Sequence, residues 1–368
     1  MKRSPILVTG ATGKIGGAVV RELLSRGLPV RAVVRVDDVR SQALERQGAE
    51  TVVADLYDPN QMQRAMQGAV HAFYVPPFQP HMIHSAVAFA DAAREARLEH
   101  VVQLSQWTSS PSHPAILTRQ TWLVDRLFAT LPGIAHTIVN PGMFADNFLR
   151  VMDFPALLGI YPVLSGTSKS APVSNEDIAR VVAAVLAEPD RHAGMRYRPT
   201  GPKLLSAQEM AGVIARVVGR RVRPVNMPIW MLAKAGRLQK SADPFELVCI
   251  RYYMRDHRQG AFELGGGVTD VVRELTGTPA EDFEATARRY AAMPFARKTF
   301  SNCARAWLSF LVTPFYPGYD LARYEREHSF PTPTDARLTM DCDTWRREHA
   351  AERPTPCCAR VSRPRTSA

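Results

Sequence analysis

The chain has 368 residues, 46% of them apolar and 22% charged, which is length for one large domain or two ordinary ones with a sizeable buried core. No apolar run approaches the ~20 residues of a membrane-spanning helix, so a spanning protein is excluded and no membrane partner is expected. Basic residues outnumber acidic ones 46 to 35, a net charge of +11. Because bases alternate with acids on most helical stretches and no helix-turn-helix or zinc-finger spacing accompanies them, nucleic acid is the weaker expectation and a phosphorylated small molecule the stronger.

Met1-Lys2-Arg3-Ser4-Pro5 leads directly into a strand-like run, so no signal peptide is expected. Five cysteines (Cys249, Cys303, Cys342, Cys357 and Cys358) show no metal-ligand spacing and read as reduced thiols of a cytoplasmic protein. Along residues 1–150, β-branched runs at 6–9, 30–34, 50–54, 72–75, 101–104 and 137–139 alternate with amphipathic helical patterns at 16–25, 40–47, 61–66, 83–96 and 120–129. This alternation predicts an α/β fold, a doubly wound parallel sheet whose ligands bind outside the carboxyl ends of the strands. Residues 151–296 read as a smaller, mostly helical substrate or partner domain, with helices at 175–187 and 207–217 capped by Ser174 and Ser206. Residues 297–350, dense in aromatics and prolines, are expected to wrap over the domain as an extension or to bind a partner. The Pro/Ser/Arg-rich stretch 351–368 reads as a disordered basic tail.

The strongest signal is Thr9-Gly10-Ala11-Thr12-Gly13-Lys14-Ile15-Gly16 between the first strand and the first helix. Gly10 permits a tight turn, Gly13 lets backbone amides approach a pyrophosphate, and Gly16 lets helix and strand close up. The helix start then holds the anion, which defines a Rossmann nucleotide site. Thr12, Lys14 and Ile15 complete the loop. At the end of the second strand, where an acid would select NAD(H), stands Arg35, whose guanidinium suits a 2′-phosphate. NADP(H) is therefore favoured over NAD(H), with Asp37 and Asp38 as the residues that argue the other way. Asp55 and Leu56, after the third strand, are placed against the adenine.

Short-chain reductases pair a proton-passing Tyr with a Lys four residues on. None of the ten tyrosines has one. Ser105, after the fifth strand, and His113 are the catalytic candidates that remain. The loops after strands four to six supply Pro76, Pro77, Phe78, Trp107, Pro141, Gly142, Met143 and Phe144. They are expected to surround the nicotinamide end as an apolar cleft for a small hydrophobic or aromatic substrate, with Trp230 reaching in from the smaller domain.

The glycine loop, together with Val33-Val34-Arg35, Ala54-Asp55-Leu56, the segments 136–147 and 171–179 and the stretch 197–206, resembles the NmrA-like family of atypical short-chain dehydrogenase/reductases. The likeness covers residues 5 to about 295. It implies a Rossmann domain, NADP(H), and one of two activities: a reductase of quinones or other aromatic carbonyls, or a redox sensor regulating a protein partner. Asn140 stands where many relatives carry Arg, and Arg119 where reductase members often offer Lys.

Overall fold

The protein is described here by a computed structural model covering residues 4–350 together with Thr355 and Pro356. Its first part runs β1 (Ile6–Val8), α1 (Lys14–Ser25), β2 (Val30–Val34), α2 (Val39–Arg46), β3 (Glu50–Val53), α3 (Pro59–Met66), β4 (His71–Tyr74), α4 (Met82–Glu95), β5 (His100–Leu104), α5 (Ile116–Ala129) and β6 (Ala135–Val139). Each expected strand is present, with ends moved by one or two residues; α5 starts four residues early, directly after Pro114 and Ala115. Three further strands follow: β7 (Ile160–Val163), β8 (Met195–Tyr197) and β9 (Arg223–Asn226).

The main sheet has the order β8-β6-β5-β4-β1-β2-β3, all parallel, with Thr355–Pro356 pairing antiparallel outside β8. β8 has three residues and no run of β-branched side chains, so periodicity does not reveal it. The strands are buried on both faces except at the edge strand β3, where Glu50 and Val53 are exposed. Ile6 and Val8 of β1 join the core under α1 and the helix Asn175–Ala187. Leu7 faces the opposite core, under α3, α4 and α5. One residue of alternation thus separates two hydrophobic layers. The winding reverses between β1 and β4, and a doubly wound sheet opens its ligand crevice at that point.

The smaller region is built on the parallel pair β7–β9 and a third core of Leu149, Tyr161, Met210, Ile214 and Phe283. Both expected caps form: Ser174 accepts from the Asp177 amide, and Ser206 makes a reciprocal capping box with Glu209. Residues 331–349 are fastened to the loop between β5 and α5. The Arg337 amide donates to Ser112 O at 2.8 Å, Trp345 Nε1 donates to Trp107 O at 2.9 Å, and the Arg119 guanidinium donates to Pro331 O. Apart from Thr355 and Pro356, the stretch expected to be a disordered tail lies outside the described residues.

Candidate dinucleotide site

Thr9 ties the glycine loop to the crevice. Its amide donates to Phe73 O at 3.0 Å, and its hydroxyl accepts from the Val75 amide at 2.8 Å, locking the ends of β1 and β4 together. Gly10 has φ +60°, the left-handed region that glycine adopts freely. Gly16 is required by space: a Cβ there would stand 2.2 Å from Gly10 O and 3.0 Å from Thr9 O, both backbone atoms. Gly13 is the N-cap of α1. It offers no side-chain cap, and the first turn holds no acid. The first-turn amides therefore face the crevice with their partial positive charge uncompensated, a seat for an anion.

At the end of β2 the neighbouring side chains differ in whether they are already engaged. Asp38 caps α2, accepting from the Arg40 and Ser41 amides. Hydrogen bonds from Arg40 hold its carboxyl down at about 2. Asp37 accepts from Ser41 Oγ at 2.8 Å. Arg35, exposed directly beyond β2, forms no salt bridge among the described residues. It is the group at that strand end still available to a phosphate. Asp55 is exposed and accepts from the Tyr57 amide at 3.0 Å, with Leu56 half-buried beside it. The uncapped helix, the Gly16 contact and an Arg35 with no salt bridge among the described residues together fit NADP(H).

At the end of β5 the picture departs from expectation. Ser105 is buried, and its hydroxyl donates to Asp125 on α5 at 3.0 Å; Ser109 Oγ and Gln103 Nε2 donate to the same carboxylate. Burial pushes the Asp125 carboxyl up, against the pull of Arg196 3.6 Å away and of these donors. His113 lies at 0% exposure. Its Nε2 donates to Asp256 Oδ2 at 2.6 Å, and Nδ1 accepts from the Ala115 amide, which fixes the tautomer. Asp256 also accepts from the Thr339 amide and hydroxyl. The ring therefore joins the β5–α5 loop to the extension, and the structure does not bring it together with Ser105. Arg119 is likewise held on the carbonyls of His113, Pro114 and Pro331.

The expected apolar lining is not one surface. Trp107 and Met143 are buried together under Phe262, Met254 and Trp345. Phe144 packs into the core beneath the helix Asn175–Ala187. Phe78 is exposed, edge-on to Phe245 at 6.0 Å. Trp230 is exposed under Lys234 rather than directed to the crevice. Pro76 and Pro77 stay half-buried at the end of β4, and Pro141 and Gly142 are buried after β6. Loop position alone suggests one surface for Phe78, Trp107, Met143 and Phe144; packing partners from distant sequence take them to different places. Two cavities, of about 600 and 470 Å³, lie beside Pro114, Tyr252 and Leu338 and beside Met227, Ile229 and Arg258; no glycine-loop residue lines either.

Sequence reasoning also missed two neighbours of the loop. Lys14 Nζ reaches Asp146 Oδ2 at 2.7 Å and Tyr290 OH at 3.4 Å. These residues lie 132 and 276 positions away, and no local signal marks them. Through Lys14 the smaller region meets the phosphate loop itself.

A doubly wound sheet whose first crossover opens on an uncapped, glycine-lined helix defines the class of dinucleotide-binding Rossmann proteins. Within that class the chain belongs to the NmrA-like family, whose model it matches over residues 2–246. It is 31% identical over 293 residues to an NAD(P)H azoreductase of Xenophilus azovorans, covering 78% of this chain and 98% of that one. It is 26% identical over 229 residues to quinone oxidoreductase 2 of Escherichia coli (strain K12), covering 60% and 77%. Among solved structures, the triphenylmethane reductase of Citrobacter sp. complexed with NADP(H) superposes with a TM-score of 0.66 at 22% identity, over 78% of this chain and 99% of that one.

Proposed function

We propose that the protein is an NADP(H)-dependent oxidoreductase that reduces a flat, hydrophobic acceptor of the quinone or azo kind. The observation that carries the reading is the pairing of the uncapped α1 start with an Arg35 that forms no salt bridge among the described residues, while Asp38 caps α2 and Asp37 accepts from the Ser41 hydroxyl. In this reading the α1 amides hold the pyrophosphate, Gly10, Thr12 and Gly13 shape its seat, and Arg35 binds the 2′-phosphate. Asp55 and Leu56 border the adenine, and Pro76, Pro77, Pro141 and Gly142 border the nicotinamide. When bound, the cofactor supplies the hydride; the chain's part is to orient it and to exclude water. Ser105, turned by Asp125, is the hydroxyl proposed nearest the acceptor. Support comes from the azoreductase and the quinone oxidoreductase among the relatives.

A second reading, a redox sensor that regulates a protein partner, is favoured by two observations. No tyrosine has Lys four residues on, and His113 is engaged with Asp256. A fold likeness to NmrA, a negative transcriptional regulator, accompanies it, with a TM-score of 0.62 at 19% identity over 78% of this chain and 95% of that one. NADPH consumption with quinones, azo dyes and aromatic aldehydes, measured on the wild type and on Gly13→Asp, separates the two. The enzyme reading expects turnover that Gly13→Asp abolishes. Tight NADPH binding with no turnover on any acceptor would leave the sensor.

A further inference from the structure

The basic excess of this chain is local. Residues 210–242 and 285–319 carry twelve Lys and Arg and no Asp or Glu, against a net charge of +11 for the whole chain. Elsewhere the two signs nearly cancel, as the alternation of charge along most helices leads one to expect. The fold packs parts of these two stretches together: helix Ile229–Gln239 lies against helix Phe300–Val312 and the turn Thr313–Phe315. Lys234 Nζ donates to Pro314 O at 2.6 Å, and Gln239 Nε2 to Ser309 Oγ at 2.8 Å. Lys234, Arg237, Lys240, Arg297 and Lys298 form no salt bridge among the described residues.

Helix Phe300–Val312 is amphipathic the wrong way round for a core helix. Its inward stripe is anchored by the small residue Ala306. The outward stripe is Phe300, Ala304, Trp307, Leu308 and Leu311, at the i, i+4, i+7, i+8, i+11 spacing of one helical face. It continues into Phe315. Phe300 is 91% exposed and Phe315 89%. Trp230 stands exposed on the adjoining helix, with the Lys234 ammonium 5.3 Å over its ring. A large apolar stripe whose flanking charges are mostly cations, with Asp153 acting on Arg305 as the acid beside it, suits an occupant that is apolar within and anionic outside.

We propose that this face docks flat on an anionic phospholipid bilayer. Phe300, Trp307, Leu308, Leu311 and Phe315 enter the headgroup–acyl boundary, and the basic rim meets the lipid phosphates. The absence of a spanning segment, on which the expectation of no membrane partner rests, says nothing about a helix lying in the interface plane. A second copy of the chain fits less well, because a two-fold contact through this face would set two cationic rims against each other. The inference is independent of the nucleotide reading.

The test is co-sedimentation of the full chain with phosphatidylcholine vesicles, with and without phosphatidylserine, at low and high salt. The proposal expects binding to phosphatidylserine vesicles, release by salt, and partitioning about tenfold weaker in Trp307→Glu/Leu311→Glu. Arg297→Glu/Lys298→Glu weakens binding to the anionic vesicles alone. NADPH titration of each variant checks that it remains folded. Equal binding to neutral and anionic vesicles, no binding to either, or a wild-type dimer that Trp307→Glu/Leu311→Glu turns into monomer would each overturn it.

Discussion

Replacing Gly16 by alanine puts a methyl group where the structure leaves no room. The new Cβ would lie 2.2 Å from Gly10 O, 2.6 Å from the Gly10 carbonyl carbon and 3.0 Å from Thr9 O, against an ordinary non-bonded separation of about 3.5 Å. All three obstacles are backbone, so no side chain can rotate aside. α1 must therefore retreat from β1 by about 1 Å, and its buried Ile15, Val19, Val20 and Leu23 must repack. Overpacking of this kind costs about 1–3 kcal/mol, and an immovable obstacle places Gly16→Ala at the upper end. We expect a lower urea midpoint at unchanged m-value and NADPH affinity reduced about tenfold or more as the helix amides move off the anion. Gly13→Ala is the control. Its Cβ meets Gly10 O at 3.1 Å, and its φ of −84° is ordinary. Stability there should fall by less than about 1 kcal/mol, with the loss concentrated in NADPH binding. A Gly16→Ala protein that unfolds and binds NADPH like the wild type would refute the close-approach argument.

Two further outcomes follow from the buried polar groups. Asp256→Ala removes the acceptor shared by His113 Nε2 and by the amide and hydroxyl of Thr339, all buried; stranding these donors should cost about 3 kcal/mol and expose residues 331–349 to protease, with NADPH affinity unchanged. Loss of NADPH affinity at unchanged stability would instead put His113 in the ligand site. Desolvation lowers the buried His136 to about 3 and His100 to about 4, from 6.5. Below pH 6.5 the unfolded chain takes up protons that the native state refuses, so stability falls as pH drops, by about 2 kcal/mol for each histidine and about 4 kcal/mol together between pH 7 and pH 5. A urea midpoint that stays flat over that interval would contradict the assignment.

What was legible in the sequence is what short-range periodicity encodes. Most strands from β1 to β6 announce themselves as short apolar runs, β-branched in β1, β2, β3, β5 and β6 and aromatic in β4. The glycine loop is visible because strand, turn and helix are contiguous. Arg35 is visible because strand ends have a known place in a doubly wound sheet. What stayed hidden depends on contacts between distant residues. His113 looks like a loop histidine until Asp256, 143 residues on, buries it. Trp107 looks like a cleft residue until Trp345, 238 positions away, closes over it. Lys14 gives no sign of Asp146 or Tyr290. Ser105 was placed correctly at the strand end, but its orientation is set by Asp125 on the next helix.

The most direct test of the nucleotide assignment is equilibrium titration of the wild type and of Arg35→Ala with NADPH, NADP, NADH and NAD. The structure predicts that the wild type prefers the phosphorylated pair, and that Arg35→Ala erases most of this preference while leaving NADH and NAD nearly untouched. Folded protein that binds none of the four, or an Arg35→Ala protein that loses all four equally, would contradict it.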